Sequence, residues 1–344
     1  MLNGKHGGND LSLDISLDFS ANLSPLGMPE KVRQAALGAI VFSDRYPDPF
    51  CTELRKKLSE KNGVSVEKIV CGNGADDLIY RTVSALKPQS ALIVSPSFSE
   101  YRKALEENGC KADEYLLSEE NGFELTEDIL SDIGGYDIIF LCSPNNPTGR
   151  VIAPKLLERI AKKCVETDTF LFCDESFIGF TGREDELSAL RFLNEKVIIL
   201  RSFTKLFAMA GLRLGYVICG DRLTAEKIAC IGQYWSVSAP AQAAGIAALD
   251  EEEYVRCAVE LVKTEREYLI TELHKTGFKV YLSEADFILF RAEENIGEKL
   301  LKEGILIRSC VDYSGFDGSY FRIAVKTHEE NVKLISALRR CKNG

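Results

Sequence analysis

Short apolar runs closed by polar turns recur along this chain of 344 residues, and their spacing predicts its architecture. Lys68-Ile-Val-Cys71, Ala91-Leu-Ile-Val94, Tyr136 to Cys142, Thr169 to Cys173 and Val197-Ile-Ile-Leu200 are rich in β-branched and aliphatic side chains and bounded by polar residues. Continuous runs of that kind predict strands buried on both faces. Between and around them, apolar positions at helical spacing predict helices at about Pro29 to Ala39, around Tyr101, at Pro154 to Val165 and at Arg222 to Ile231. Strands alternating with helical crossovers predict an α/β domain with a mainly parallel sheet. After about Pro240 the rhythm changes. Glu251 to His274 predicts one long amphipathic helix, followed by strands at Lys279 to Leu282, Phe287 to Phe290 and Tyr320 to Val325, with helices at about Ile296 to Lys302 and Glu329 to Arg340. This second pattern is α+β. The expected division is an amino-terminal arm over 1–45 that joins the small domain, a large domain over 46–240 and a small domain over 241–344, with no internal repeat.

The residues that follow the predicted strands carry the chemistry, because in an open parallel sheet they gather at one edge. Gly72-Asn-Gly-Ala-Asp-Asp77 opens a helix, where glycines leave backbone N–H groups free for a phosphate. Pro96-Ser-Phe98, Ser143-Pro-Asn-Asn-Pro-Thr-Gly149 and Asp174-Glu-Ser-Phe177 close three other strands. Beyond Leu200 comes Ser202-Phe-Thr-Lys205, with Arg213 eight residues after the lysine. An amine able to form an imine is thereby surrounded by two hydroxyls and a guanidinium suited to a phosphate, which suggests pyridoxal phosphate. A lone Ser-x-Thr-Lys is more often an ordinary solvated lysine on a loop, so the rest of the chain has to overturn that reading. Upstream, His6-Gly-Gly-Asn9 and Asp18 to Gly27 read as an irregular arm, and Arg45-Tyr46-Pro47-Asp48-Pro49 as a rigid extended turn.

Composition narrows the partners. A formal net charge of -10 and no basic stripe argue against a nucleic-acid surface, so any bound anion has to be met by a local cluster of cations. Eleven cysteines without metal-ligand spacing, no signal peptide and no long apolar span predict a reduced, cytoplasmic chain that holds no metal and meets no membrane. Cys142 and Cys173, inside apolar runs, read as small core hydrophobes.

The order Asn-Pro-Thr-Gly, then Asp, then Ser-x-Thr-Lys, then Arg resembles the fold type I pyridoxal-phosphate enzymes of the aspartate aminotransferase superfamily, from about residue 6 to residue 340. That resemblance implies pyridoxal 5′-phosphate as cofactor, with Lys205 as the lysine that carries it and Asp174 as the carboxylate beneath the pyridine nitrogen. It implies Asn146 as donor to the cofactor's phenolic oxygen and Phe98 as the aromatic stacked on the ring. Ser202, Thr204, Arg213 and the amides of Gly74 and Ala75 would form the phosphate cup. Tyr46 would reach the neighbouring subunit's cofactor, so the active unit is expected to be a homodimer. One position departs from the pattern: Phe177 stands where most members have a tyrosine, and it cannot donate to the phenolic oxygen.

Within the superfamily the chain is similar to histidinol-phosphate aminotransferases and more closely to the threonine-phosphate decarboxylases of cobalamin biosynthesis. The closer likeness rests on His6-Gly-Gly-Asn9, Asp18-Phe-Ser-Ala-Asn22, Asp174-Glu-Ser-Phe177, Trp235-Ser-Val237, Ile305-Leu-Ile-Arg308-Ser-Cys310 and Tyr320-Phe-Arg322. It implies decarboxylation of L-threonine O-3-phosphate to (R)-1-amino-2-propanol O-2-phosphate. Substrate contacts would come from His6, Asn22, Asn146, Arg308 and Arg322. Arg322 corresponds to the arginine that holds the α-carboxylate in aminotransferases, and a phosphate gripped there would displace the carboxylate from its usual clamp. Three alternatives stand beside this reading: an aminotransferase for histidinol phosphate, a decarboxylase of O-phospho-L-serine, and a catalytically silent pyridoxal-phosphate binder. The last is disfavoured by the intact lysine constellation and by the lack of a basic helix-turn-helix.

Overall fold

The computed structural model describes residues 15–343. Its centre is a seven-stranded sheet. After a short strand β1 (Leu17–Asp18), the chain lays down β2 (Ile69–Gly72), β3 (Ser90–Ser95), β4 (Lys111–Leu116), β5 (Ile138–Cys142), β6 (Phe170–Asp174), β7 (Val197–Ser202) and β8 (Gly215–Cys219). The spatial order is β2-β8-β7-β6-β5-β3-β4, parallel from β7 through to β4, with β8 antiparallel to both of its neighbours. Strands β5, β7 and β8 are buried almost throughout, as sequences such as Ile-Ile-Phe-Leu-Cys require when helices cover both faces.

A second sheet follows the chain's change of rhythm. It joins β9 (Lys279–Val280), β10 (Phe287–Arg291), β12 (Arg308–Ser309) and β13 (Tyr320–Ala324) in the order β12-β13-β10-β9, all antiparallel. The predicted run to Leu282 is assigned as strand only to Val280, although Tyr281 N still donates to Leu289 O of β10 at 3.0 Å. The long helix Glu252–Lys275 and the terminal helix His328–Asn343 pack together beside this sheet, over a core that includes Phe287, Phe290 and Ile323. Strand β1 pairs in parallel with β11 (Ile305–Leu306), so the chain just after the undescribed amino terminus is tied to the carboxy-terminal unit. Ala324 N donates to Phe19 O at 2.8 Å and extends that tie.

Four of the longer elements have no counterpart among those predicted above. Strand β4 is Lys-Ala-Asp-Glu-Tyr-Leu, an edge strand with polar and half-exposed positions and no apolar run to reveal it. Strand β8 is apolar but follows β7 too closely for a helical crossover, and pairs antiparallel instead. The helix Thr52–Asn62 buries only Leu54 and Leu58. The helix Ala239–Ala248 is so rich in alanine that its apolar positions show no period.

Candidate active site

The carboxyl ends of β5, β6 and β7 and the amino end of the helix Ala75–Leu86 open onto one cavity of about 580 Å³. Its walls include Asn22, Ala75, Phe98, Asn146, Asp174, Phe177, Ser202, Thr204, Lys205, Arg213, Arg308 and Arg322. Twelve of the fifteen residues singled out from the sequence therefore meet there, drawn from segments almost 300 residues apart. Gly74 lies beside it; Tyr46 does not contribute to its lining, and His6 is outside the described residues.

Asp174 ends β6 and is buried. Its Oδ2 accepts from the Tyr101 hydroxyl at 2.6 Å and its Oδ1 from the Ser176 amide at 2.9 Å. Burial raises the affinity of this carboxyl for a proton, and the bonds from Ser176 and Tyr101 oppose it. No ion pair to a cation of the chain offsets that burial among the described residues. A carboxylate so placed is completed by a cationic or N–H donor inside the cavity.

Lys205 sits in the short helix Phe203–Leu206, whose first turn is capped by Ser202 Oγ accepting from the Thr204 amide at 3.1 Å. The backbone of this helix is tied to the arm, with Ser24 N donating to Lys205 O at 3.0 Å. Tyr254 Oη lies 2.6 to 3.0 Å from Gly27 O, Ser24 Oγ and Leu206 O, joining the long helix to the same point. Burial draws the proton affinity of Lys205 down from its ordinary value, and the charge of Asp286 opposes that shift.

Asn146 is oriented by its oxygen. Oδ1 accepts from Arg322 Nη1 and, at 3.4 Å, from the Tyr313 hydroxyl. The amide nitrogen is left to donate into the cavity. Arg322, also buried, gives Nη2 to Ser20 O at 2.8 Å, while its Nε has no partner among the described residues. Arg308 reaches Asp312 through Nη2 at 2.9 and 2.7 Å and lies 5.7 Å from the Tyr313 ring centroid.

Arg213 is half-exposed, 3.8 Å from Asp76, with φ of 58°. Gly74 has φ of 90°, and a Cβ there would fall 2.7 Å from Arg213 Nη2. Glycine is needed for that turn and for the guanidinium's place. The expectation that the Gly74 amide helps to hold a phosphate is modified, since it donates to Gly72 O at 2.9 Å. Ala75, first residue of its helix, keeps the helix-terminal position suited to an anion.

Tyr101, Ser176, Tyr254, Asp312 and Tyr313 were not assigned roles from sequence. Tyr101 carries the clearest signal in retrospect, a phenol in an otherwise amphipathic helix directly after the Phe98 turn.

These groups fit pyridoxal 5′-phosphate. A buried carboxylate asks for a pyridinium, a lysine beside it can take an aldehyde, an oriented amide can donate to a phenolate, and Arg213 with the Ala75 helix end meets a phosphate dianion. Among the described residues no cluster suited to a metal ion occurs, and no helix is long and apolar enough to cross a membrane.

Known proteins give the same picture. The family profile described as aminotransferase class I and II matches residues 14–338. Threonine-phosphate decarboxylase of Salmonella typhimurium (strain LT2) is 36% identical over 357 aligned residues, covering 100% of this chain and 98% of that protein. A histidinol-phosphate aminotransferase of Methanosarcina mazei is 35% identical, covering 95% of this chain and 88% of the other. Among solved structures, the histidinol-phosphate aminotransferase of Clostridium acetobutylicum superposes with a TM-score of 0.89 at 32% identity, over 95% of this chain and 99% of that one.

Proposed function

The chain belongs to the aminotransferase class I and II family and uses pyridoxal 5′-phosphate, and on that footing we propose that it decarboxylates L-threonine O-3-phosphate to (R)-1-amino-2-propanol O-2-phosphate, for the aminopropanol arm of cobalamin biosynthesis. The observation that carries this reading is the meeting of Arg308, Arg322 and Asn22 on the Lys205 cavity of an acidic chain. Two guanidiniums in one pocket suit a dianionic phosphate better than a single carboxylate.

When bound, the cofactor supplies an electron-withdrawing ring that weakens the bonds at the substrate Cα. Asp174, held by Tyr101 and Ser176, keeps a proton on the ring nitrogen. Arg308 and Arg322 grip the substrate phosphate, with Asn22 beside them and His6 as the further contact the family likeness implies. Held by that remote group, the substrate turns its Cα–carboxylate bond out of the ring plane, so phosphate binding energy selects the reactive conformer. Lys205 would hold the cofactor covalently and is the amine placed to give a proton to the substrate Cα.

Assembly as a homodimer belongs to the same proposal. Tyr46 is 79% exposed and stacks on Trp235 with ring centroids 4.4 Å apart, amid exposed Val41, Phe42, Phe50 and Tyr234. An apolar face of that kind, with a tyrosine at its centre, suits a partner subunit's site. Mixing Lys205→Ala chains with Tyr46→Phe chains should restore some activity through hybrid dimers.

A second reading, transamination of histidinol phosphate, is supported by the Methanosarcina mazei relative and by the Arg322–Asn146 contact, which would equally orient an arginine for a carboxylate. The test is carbon dioxide release from threonine phosphate with no keto acid present. Turnover of histidinol phosphate with 2-oxoglutarate and no carbon dioxide from any phosphorylated amino acid would overturn the decarboxylase. Serine phosphate belongs in the same panel, because one methyl group in a pocket is worth only about 1–3 kcal/mol.

A further inference from the structure

Asp286 is fully buried at the entrance to β10, and neither carboxylate oxygen has a hydrogen-bond partner among the described residues. The turn that carries it is held on both sides. Ser283 Oγ donates to Phe287 O at 2.6 Å and accepts from Ala285 N at 3.1 Å, while Glu284 N donates to Gly149 O at 2.8 Å. Arg266 Nη1 donates to Ala285 O at 2.9 Å, and Val325 N to Asp286 O at 2.7 Å. The donors around the turn are thus committed to backbone oxygens, and the side chain is left bare. An unpartnered buried carboxylate is costly, so something at longer range has to balance it.

The charges facing it are Lys205, Arg322 and Arg266. Phe287, next in the chain, meets Phe177 edge-on with centroids 5.0 Å apart. Lys205 Nζ lies 5.6 Å from the centre of the Phe177 ring, and the Arg322 guanidinium 5.4 Å from that of Phe287. Two of the cavity cations therefore rest on one aromatic pair, with Asp286 next in the chain to Phe287. Around Lys205 the other charged groups are Arg322, Asp76 and Arg213. A ring face and a nearby carboxylate both favour the charged form of the lysine.

We propose that Asp286 is a positioning residue that, together with the face of Phe177, holds Lys205 as an ammonium and so makes it the proton donor at the substrate Cα. This rests on the decarboxylase reading above and specifies its proton. The bond from Cα to the carboxylate breaks and carbon dioxide leaves. The electron pair left behind ends in a new Cα–H bond, whose proton comes from Nζ as an N–H bond breaks. Lys205 is then neutral and nucleophilic, and one proton per turnover is taken up from solvent. A transaminating lysine has the opposite first task, since it must remove a proton from Cα as a free amine. Burial pushes the Asp286 carboxyl up to about 7, so the ionised form that supports Lys205 grows through neutrality.

The experiment measures Lys205 itself. The full chain, freed of cofactor by phenylhydrazine and dialysis, is labelled with acetic anhydride across a pH series, and the Lys205 peptide is quantified by mass spectrometry. In Asp286→Asn, and in the smaller Asp286→Ser, the labelling midpoint should move down by about one pH unit, so that labelling near pH 7 rises about tenfold. In the holoenzyme kcat for carbon dioxide release should fall about tenfold with KM nearly unchanged. An unshifted midpoint in both variants, with carbon dioxide released normally by the parent, overturns the role of Asp286 alone. A parent Lys205 that labels as a free amine at pH 7 overturns it without any substitution. A shifted midpoint in variants of a parent that releases no carbon dioxide overturns instead the decarboxylase reading, and with it the donor step.

Discussion

Glu175 and Arg201 each sit one residue along the chain from a cavity residue, Asp174 and Ser202, yet their surroundings are opposite in kind. Glu175 accepts from Ser188 Oγ at 2.8 Å, from Ala189 N at 2.6 Å and from Arg201 Nη2 at 2.9 Å and Nε at 3.1 Å. Arg201 also meets Glu184, and reaches Asn62 Oδ1 at 3.2 Å. This cluster is complete within the protein. By contrast, Asn22 Oδ1 and Arg322 Nε on the cavity wall, and both oxygens of Asp286 next in the chain to Phe287, have no partner among the described residues. Buried groups that are fully paired fix the ends of β6 and β7. Asn22 and Arg322, left incomplete, border the space where cofactor and substrate charges arrive.

The sharpest way to separate the two regions is Lys205→Ala. Carbon dioxide release should fall by several orders of magnitude, and borohydride should no longer fix the cofactor to the chain, while the melting temperature of the cofactor-free protein holds or rises. Recovery of the reduced adduct on another lysine would remove Lys205 from its role. Arg201→Ala should do the reverse. It leaves Glu175 buried without its cation and should cost about 3–5 kcal/mol in denaturant unfolding, before any effect on the chemistry of a folded fraction. An Arg201→Ala chain as stable as its parent would erase the contrast.

Arg308→Ala and Arg322→Ala should each lower kcat/KM for threonine phosphate by about ten- to a hundredfold, the value of one charged partner, roughly 1.5–3 kcal/mol. If the remote phosphate controls conformation, unphosphorylated threonine should show a lower kcat and not only a higher KM. Equal kcat values for the two substrates would remove that control.

How much of this contrast was legible in the sequence depends on where each group lies. Asp174, Asn146 and Lys205 end or closely follow strands, and Arg213 stands just before β8, in short motifs whose order along the chain is informative. The paired cluster and the incomplete one were not legible, because both are made across the fold. Asp286 belongs to Ser-Glu-Ala-Asp, a stretch that reads as a solvated turn, although it is buried completely. Tyr313 lies on the turn after β12 and meets Asn146 across 167 residues of chain, a contact no local spacing reveals. Strand β4 escaped for a related reason, since an edge strand needs no continuous apolar run.

Asp286 also gives the comparison a pH dependence. Its carboxyl is raised in the folded chain, from an ordinary value near 3.8 to about 7, so the folded state binds the proton more tightly than the unfolded one. The stability this contributes is complete below the ordinary value and is lost as pH rises through about 7. Asp286→Asn lacks that loss. Relative to the parent it should gain about 1–3 kcal/mol between pH 4 and pH 8 in urea unfolding of the cofactor-free chain. A constant difference across that range would mean that the carboxyl does not titrate there. The Glu175 carboxyl is raised by burial too, but Arg201, Ala189 and Ser188 oppose the rise, so its ionised form is the one the fold is built around.

The smallest expected effect tests the boundary between the two regions. Phe177 is 5% exposed, packed on Phe287 on one side and facing Lys205 and the cavity on the other, so it belongs to both core and site. Phe177→Tyr adds one hydroxyl and removes nothing from the packing. If the new hydroxyl points into the cavity it can donate to the cofactor's phenolic oxygen, beside the Asn146 amide, and the visible absorbance of the holoenzyme should shift with pH differently from the parent's. The ring face beneath Lys205 would remain, so the change in kcat/KM for carbon dioxide release should stay within about tenfold, or about 1.4 kcal/mol. If the hydroxyl has no room, the cost appears as stability, about 1–3 kcal/mol for a polar group buried without a partner, with the absorbance unchanged. The first outcome places Phe177 with the groups that await a ligand, and the second places it with the core that supports them.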